Sequence, residues 1–225
     1  MTTVDTIQGR IAAMVDQDEN TSNISATDYS KRLNYINRAQ MEWAEVWPWQ
    51  VLYKEFNTLT STSTGNATIT MPSNFRKLSS YPKITYDGTT TAQFPDVLPQ
   101  EDGQYTNTDK RILCYGNAVE GYSYVVRGAT MVSGASIMVP YIATPTSLAS
   151  PANNVECPNA DFLVQRTIAY LWEAQEDPRF QQAKADSAQI LSNMIEFEET
   201  ISRASTNDRI KTTDEVKNNF RWGID

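Results

Sequence analysis

The hydrophobic pattern of the chain changes its period at Pro48, and this change limits the folds that the chain can adopt. Upstream of Pro48, apolar residues recur at steps of three and four, which places them on one face of a helix: Leu33, Ile36, Ala39, Trp43 and Val46 or Trp47. Pro48 cannot continue that helix, because it lacks the amide hydrogen and clashes with the preceding turn. Downstream the period falls to about 2 and the composition shifts to Thr, Ser, Tyr, Val and Gly, which predicts strands.

The helix before Pro48 also has a start signal. Ser25 and Thr27 are good N-cap residues, and Asp28 stands three residues after Ser25 in the relation of a capping box, although Glu or Gln is the usual partner. A shorter helix is predicted over 6–17 from the residues that share one side: Ile7, Ile11 and Met14 or Val15.

The middle of the chain, residues 50–150, is predicted to form an all-β domain of the sandwich or barrel type. Two strands flank a turn at Gly65-Asn66, and Asp87-Gly88 is a strong short hairpin signal. Glycines separate three further strand candidates, "KRILCYG", "GYSYVVRG" and "ASIMVPYIATP".

Helical patterns return after residue 150. Pro158 suits the first turn of a helix over 161–175. Asp177-Pro178 is predicted to end that helix and begin the next, with Asp177 as its cap and Pro178 at its first position. The second helix carries a regular seam, which needs a partner helix: Phe180, Ala183, Ser187, Ile190, Met194, Phe197 and Ile201. The N-terminal helices have apolar stripes of their own and are the expected partners.

Together these patterns predict an α+β fold in three parts. Residues 1–49 and 151–202 form an antiparallel helical bundle, the β domain of residues 50–150 is inserted into it, and an extended tail follows at 203–225. The tail is either a frayed terminus or a segment that orders on a partner, with two aromatic anchors and basic residues beside them. The candidate binding residues of the tail are Arg209, Lys211, Lys217, Phe220, Arg221 and Trp222.

Three of the five tryptophans lie close together around Pro48. They could stack sugars, but Trp43 and Trp47 are four residues apart on the apolar face of the helix, where aromatic side chains usually pack. Trp49 lies past the proline and could close the base of the β domain. We therefore interpret Trp43, Trp47, Pro48 and Trp49 as the junction between the two domains.

The sequence contains no histidine, which removes Ser-His-Asp and Cys-His catalysis, His-ligated zinc and the usual general base near neutral pH. Phosphate loops, dinucleotide fingerprints and calcium loops do not occur either. The two cysteines, Cys114 and Cys157, are expected to be buried free thiols in a reducing cytoplasm. We expect a protein that is not an enzyme and binds no cofactor or metal.

Without histidine, catalysis would have to use carboxylates, Lys, Tyr, Ser or Cys, and an enzyme of this sequence would most plausibly use carboxylates. Glu196, Glu198 and Glu199 surround Phe197, which we expect to be buried, and a solvated helix face is the simpler interpretation of these three residues. A glycosidase needs two carboxyl groups across one cleft, and Glu101 and Asp102 cannot be paired from the sequence alone. A carboxylate-dependent hydrolase is therefore a minor alternative.

The chain is acidic, with 19 Lys plus Arg, 27 Asp plus Glu and a net charge of −8. This charge does not fit a protein that grips nucleic-acid phosphates, although DNA could pass nearby without being held. No signal-peptide pattern and no apolar run of about 18 residues occurs, so we expect synthesis in the cytoplasm and no membrane partner.

Three stretches in a particular order cover most of residues 25–200. They are a helix ending in aromatics, "LNYINRAQMEWAEVWPWQ"; a turn, "MPSNFRKLSSYP"; and "VPYIATPTSL" followed by "CPNADFLVQRTIAYLWEAQEDPRFQQAKADSAQIL". This order resembles the head-tail adaptor (connector or gatekeeper) proteins of tailed bacteriophages.

The resemblance implies a structural virion protein of the neck, made in the host bacterium. Such proteins form a ring, generally dodecameric, between the portal and the tail. The portal would bind the helical bundle and the C-terminal tail, tail or neck proteins would meet the β domain, and DNA would pass through the lumen only as cargo. The acidic balance of the chain agrees with such a channel, because a repulsive lumen lets DNA slide.

A second interpretation is a β-sandwich module of a tail fibre or baseplate that recognises glycans or a receptor. Its aromatic candidates, some of which strand alternation should bury, are Tyr81, Tyr86, Tyr105, Tyr122 and Tyr124.

Overall fold

A computed structural model describes residues 2–18, 20–59, 66–85, 91–117, 119–132 and 135–207. It confirms the predicted α+β class, with helices toward both ends and two sheets between them. The chain divides into two compact units, which we call the helical unit, Met1–Ala39 with Cys157–Asp225, and the β unit, Gln40–Glu156. The domain boundaries predicted after residues 49 and 150 stay predictions.

The described residues form four α-helices, α1 Val4–Val15, α2 Ala26–Val46, α3 Ala160–Ala174 and α4 Phe180–Asn207. The predicted capping box begins α2: the Asp28 amide donates to Ser25 Oγ at 3.1 Å, and Ser25 Oγ donates to the Asp28 carboxylate at 2.7 Å. The helix ends before Pro48, as expected from the missing amide hydrogen.

The predicted break between α3 and α4 is also present. Glu176 adopts a left-handed conformation with φ 56°, which ends the first helix. Asp177 accepts the Arg179 amide at 2.9 Å and so caps the turn that leads through Pro178 into α4. The helix itself begins at Phe180, so the prediction of Pro178 as its first residue is wrong by two positions. Hydrogen bonds from Arg179 lower the pKa of Asp177 below its usual value.

The start of α3 differs from the prediction. Asn159 takes the cap position, where its side chain accepts the Asp161 amide at 2.9 Å, and the helix begins at Ala160. Placing Pro158 in the first helical turn is therefore wrong, because a residue with a side-chain acceptor lies between it and the helix.

The helix α3 is central in the helical unit, because it contacts both α1 and α4. Its buried residues cover most of its circumference: Phe162, Leu163, Val164, Thr167, Ile168, Ala169, Tyr170, Leu171 and Trp172. The most extensive contact of α4 is with α3, through small buried residues that include Ala183 and Ser187. The N-terminal helices, which we expected to cover the seam, are thus not its main partner.

The β unit contains two sheets. The described strands are β1 Tyr53–Leu59, β2 Asn66–Thr70, β3 Phe75–Leu78, β4 Lys83–Thr85, β5 Thr91–Gln93, β6 Asp96–Val97, β7 Arg111–Asn117, β8 Gly121–Arg127 and β9 Ser136–Ala143. One sheet has the order β1-β9-β4-β5, with β3 also paired to β9, and the other has the order β2-β8-β7-β6. Neither sheet closes into a barrel over these strands.

The strands predicted around Gly65-Asn66 exist as β1 and β2, but they belong to different sheets. Asn66 is the first residue of β2 rather than part of a turn, because it pairs with Arg127 of β8, and Gly65 lies outside the described residues. Around the other turn signal, β4 and β5 pair antiparallel. Asp87-Gly88 itself lies outside the described residues. A single buried cluster takes side chains from both sheets, among them Ile69, Ile84, Ile112 and Val139.

The central strand β9 contains a proline, Pro140, which has no amide hydrogen to donate. The carbonyl of Pro140 accepts the Ser79 amide at 3.0 Å, where the neighbour of β9 changes from β4 to β3. The amide and carbonyl of one residue in an antiparallel strand point to the same side. The missing donor therefore leaves the pairing with β1 intact.

Candidate interaction surfaces

The tryptophan segment closes the C-terminal end of α2 inside the β unit. The buried rings of Trp43 and Trp49 stack with centroids 5.3 Å apart, and Trp49 Nε1 donates to the Trp43 carbonyl at 2.6 Å. The last carbonyls of a helix have no partner within the helix, so this bond satisfies one of them. Trp47 is half-buried and Pro48 is exposed. The two buried rings have no face left for a sugar, and the role of the segment as a domain junction stays a prediction.

Two polar side chains that the sequence analysis missed hold the same helix end. Arg76 of β3 donates through Nη1 to the Ala44 carbonyl at 2.6 Å. The buried Gln40 donates to the Thr146 carbonyl at 3.0 Å and accepts the Glu156 amide at 3.1 Å. These partners stand 32, 106 and 116 residues apart in the sequence, so no local pattern could have identified them.

The C-terminal part of α4 extends past its partner helix. α3 has 15 residues and α4 has 28, which corresponds to lengths of about 22 and 42 Å. The two helices pack together and are joined by the short turn 175–179, which favours an antiparallel pair. The start of α3 then lies about level with Met194. We call the remaining residues, 195–207, the α4 overhang.

The α4 overhang exposes the last part of the predicted seam. Burial decreases along the seam, with Ala183, Ser187 and Met194 buried and Phe180 and Ile190 half-buried. In contrast, Phe197 is 66% exposed and Ile201 is 38% exposed. The expected burial of Phe197 is therefore wrong over the part of the chain that the structure describes, because this residue keeps the spacing of the seam but lies beyond α3.

Acidic side chains accompany the two exposed apolar residues. Residues 195–201 include Glu196, Glu198 and Glu199 and no basic residue. Glu196 is exposed, and the other two are half-buried. An exposed apolar pair with an acidic rim is typical of a surface that binds a partner carrying apolar and basic groups.

The predicted C-terminal tail follows directly after this surface. The last helix runs through Asn207, so residues 203–207, which we had assigned to the extended tail, are helical. The predicted binding residues lie outside the described residues: Arg209, Lys211, Lys217, Phe220, Arg221 and Trp222.

Asp102, a candidate for a catalytic carboxylate, forms ion pairs with two arginines. Its Oδ1 accepts a hydrogen bond from Arg111 Nε at 2.6 Å, and its Oδ2 lies 3.2 Å from Arg127 Nε. The buried Arg111 also donates to the carbonyls of Thr106 and Asp109 at 2.9 and 2.8 Å. The carboxylate therefore neutralises a buried charge that ties the loop before β7 to the sheet.

Neither cysteine has the lowered pKa of a catalytic nucleophile. Cys157 is buried and donates to the Asn159 carbonyl at 3.4 Å, and burial raises its pKa to about 12. Cys114 is half-buried rather than buried, and burial raises its pKa as well. A reactive cysteine needs a lowered pKa. No cluster of three or more His, Cys, Asp or Glu suited to a metal occurs among the described residues.

The tyrosines considered for glycan binding differ in exposure. Tyr124 is buried in the core, where desolvation raises its pKa, and Tyr122 is half-buried. Tyr81 and Tyr105 are exposed, and Tyr86 lies outside the described residues. The five residues therefore do not form one aromatic surface.

The geometry therefore defines a class of protein. It is an α+β protein with an exposed apolar surface on the α4 overhang that suits the binding of other proteins, and the charged pairs of Asp102 stabilise its fold. The sequence model of the SU10 adaptor protein family matches residues 2–214, and the chain belongs to this family of phage head-tail adaptors. The resemblance seen in the sequence is thereby confirmed.

Family membership makes the chain a structural component of a bacteriophage virion, an adaptor or connector that contacts other head and tail proteins. A search of curated proteins finds no match. Over the described ranges, no helix has the length and apolar character that crossing a membrane requires.

Proposed function

We propose that the protein forms a dodecameric ring beneath the portal, joins the portal to tail or neck proteins, and lets DNA pass through its lumen. The observation that carries this proposal is the match of a head-tail adaptor family to residues 2–214. In the ring, the helical unit docks on the portal as an antiparallel bundle, and the β unit, as a sandwich, faces the tail. The segment Trp43, Trp47, Pro48 and Trp49 is the junction between the domains.

The charge of the chain supports the passage of DNA. A net charge of −8 on each copy gives a ring a strongly negative field, which repels phosphates and favours sliding over binding. The role needs no catalysis, and the engaged Asp102 together with the raised pKa values of both cysteines supports a protein that is not an enzyme.

Two surfaces of the helical unit would attach the adaptor to the portal. One is the α4 overhang, with exposed Phe197 and Ile201. The other is the C-terminal tail, in which Phe220 and Trp222 would enter apolar sites on the portal. The basic residues of the tail would pair with carboxylates beside those sites: Arg209, Lys211, Lys217 and Arg221.

The ring proposal is tested by negative-stain imaging of the protein mixed with the portal protein encoded by the same genome, against each protein alone. We expect a second ring stacked on the portal ring. Portal rings that stay bare at several salt concentrations would contradict the portal as direct partner.

The role of the tail is tested by a variant that ends at Asn207 and so keeps α4 complete. We expect unchanged circular dichroism and weaker portal attachment, because only the anchors are lost. The matched control is Val119→Ser, which removes an apolar side chain that is 95% exposed in the β unit. Undiminished attachment of the shortened protein would exclude the tail as the anchor and leave the ring proposal standing.

A further inference from the structure

The α4 overhang offers a compact surface that the described part of the helical unit leaves open. Phe197 and Ile201 are four residues apart, so their side chains share one face of the helix. Both are exposed, at 66% and 38%. Glu198 stands three residues before Ile201 and Glu196 precedes Phe197, so carboxylates border the apolar pair. A matching occupant would carry large apolar side chains with basic groups next to them.

The sequence after α4 contains a segment with this chemistry. Residues 217–222, "KNNFRW", contain two aromatic residues, Phe220 and Trp222, and two basic residues, Lys217 and Arg221. No acidic residue interrupts them, since the flanking acids are Glu215 and Asp225. In the chain beyond Asn207, this segment alone combines neighbouring aromatic residues with a positive charge.

The segment can reach the surface of its own chain. Lys217 stands ten positions after Asn207, a distance of up to about 33 Å when the chain is extended, whereas Phe197 lies about 15 Å back along the helix from Asn207. A tethered segment has an effective concentration in the millimolar range. A second copy in solution at micromolar concentration would present its segment at a lower concentration than this. The geometry therefore favours binding of the segment from the same chain.

We propose that, in the unassembled protein, residues 217–222 cover Phe197 and Ile201 of the same chain, with Lys217 and Arg221 next to the glutamates. The contact stands independently of the proposed ring. If the ring proposal also holds, the portal must displace the segment before it can bind the same aromatic anchors. The free chain then exposes neither apolar surface, which delays self-association until the portal is present.

Hydrogen exchange of the full chain, followed by mass spectrometry without any portal, tests the contact. We expect the amides of 217–222 to exchange at least about tenfold more slowly in the wild type than in the double variant Phe197→Ser/Ile201→Ser, because ordering on α4 protects them. The matched control, Val119→Ser, removes an exposed apolar residue from the β unit and should leave this protection unchanged. Circular dichroism verifies that each variant is folded.

The same exchange measurement at two protein concentrations separates the possible occupants. Protection that is equal at about 1 and 100 µM protein indicates the chain's own segment, because a tethered contact does not depend on concentration. Protection that appears only at the higher concentration would overturn the proposal in favour of a second copy. Equal exchange in the wild type and the double variant would also overturn it, and would leave the portal proposal intact, since no portal is present.

The charge of the acidic border is tested separately. Glu196→Gln/Glu198→Gln keeps the size of the side chains and removes two carboxylates from the border. We expect protection of 217–222 to fall by about two- to threefold at low salt, and the difference to vanish at high salt as screening increases. An unchanged exchange rate at low salt would contradict the charge complementarity on which the choice of segment rests.

Discussion

The helices α3 and α4 have the same helical spacing of apolar residues, yet the apolar side chains of α3 are buried and those at the end of α4 are exposed. In α3, buried residues cover most of the circumference, from Phe162 to Trp172. In α4, burial stops at Met194, and Phe197 is 66% exposed. The difference arises because α1 and α4 both pack on α3, whereas α4 is longer than the helix that covers it.

A periodic pattern of apolar residues therefore specifies which face of a helix is apolar, but not which part of the protein covers that face. The seam of α4 keeps its spacing through Ile201, although the described residues of the chain cover only part of it. In a head-tail adaptor, the uncovered part is a natural contact for another protein or another segment. The following substitutions separate the covered part from the uncovered part, in order of expected effect.

Leu163→Ala in α3 should cause the largest loss. Leu163 is fully buried, so the substitution removes apolar burial and leaves a cavity, at a cost of about 2–5 kcal/mol in the free energy of unfolding. Urea unfolding followed by far-UV circular dichroism measures this loss. A loss below about 1 kcal/mol would mean that α3 is not the centre of the helical unit.

Ala183→Leu should be the next largest, because Ala183 is buried where α4 packs on α3. A larger side chain there forces the helices apart, at a cost of about 1–3 kcal/mol. The matched control is Ala185→Leu, two residues further along the same helix at an exposed position. If both variants unfold at the same urea concentration, the close packing at Ala183 is not present.

Asp177→Ala should cost less than Ala183→Leu, because it removes the acceptor of the Arg179 amide in the turn before α4 without disturbing the core. The pKa of Asp177 is lowered in the folded protein by hydrogen bonds from Arg179. Its charge therefore stabilises the fold above the usual aspartate pKa of about 4, and this contribution is lost as the pH falls. The difference between wild type and variant should shrink between pH 7 and pH 3.

The control for that measurement is Asp177→Asn, because asparagine also caps helices but carries no charge. Its difference from the Asp177→Ala variant should reflect the cap alone and stay constant with pH. A wild-type advantage over Asp177→Ala that grows at low pH would contradict the lowered pKa.

Phe197→Ala should have the smallest effect on stability, within about 0.5 kcal/mol, since the side chain is 66% exposed and lies outside the folded core of the helical unit. Urea unfolding of the monomer measures this effect. A loss comparable to that of Leu163→Ala would show that the overhang is covered by the folded core of the helical unit.

Local signals in the sequence were sufficient for much of the fold. The capping box of Ser25 and Asp28, the break at Asp177 and the strands β7, β8 and β9 are present as predicted. For the candidate surface, the sequence supplied the spacing of Phe197 and Ile201 but not their exposure. Arg76 and Gln40 could not be found, because their partners are remote in the sequence.

The sequence by itself determined where α2 begins and ends, that a break separates α3 from α4, and where the chain changes from helix to strand. Caps and prolines act on neighbouring backbone groups within about four residues, so their effect can be predicted without knowing the fold. Only the tertiary structure decided which part of the α4 seam is covered. That outcome depends on the lengths of two packed helices, 15 and 28 residues, and no residue in the seam encodes the length of its partner.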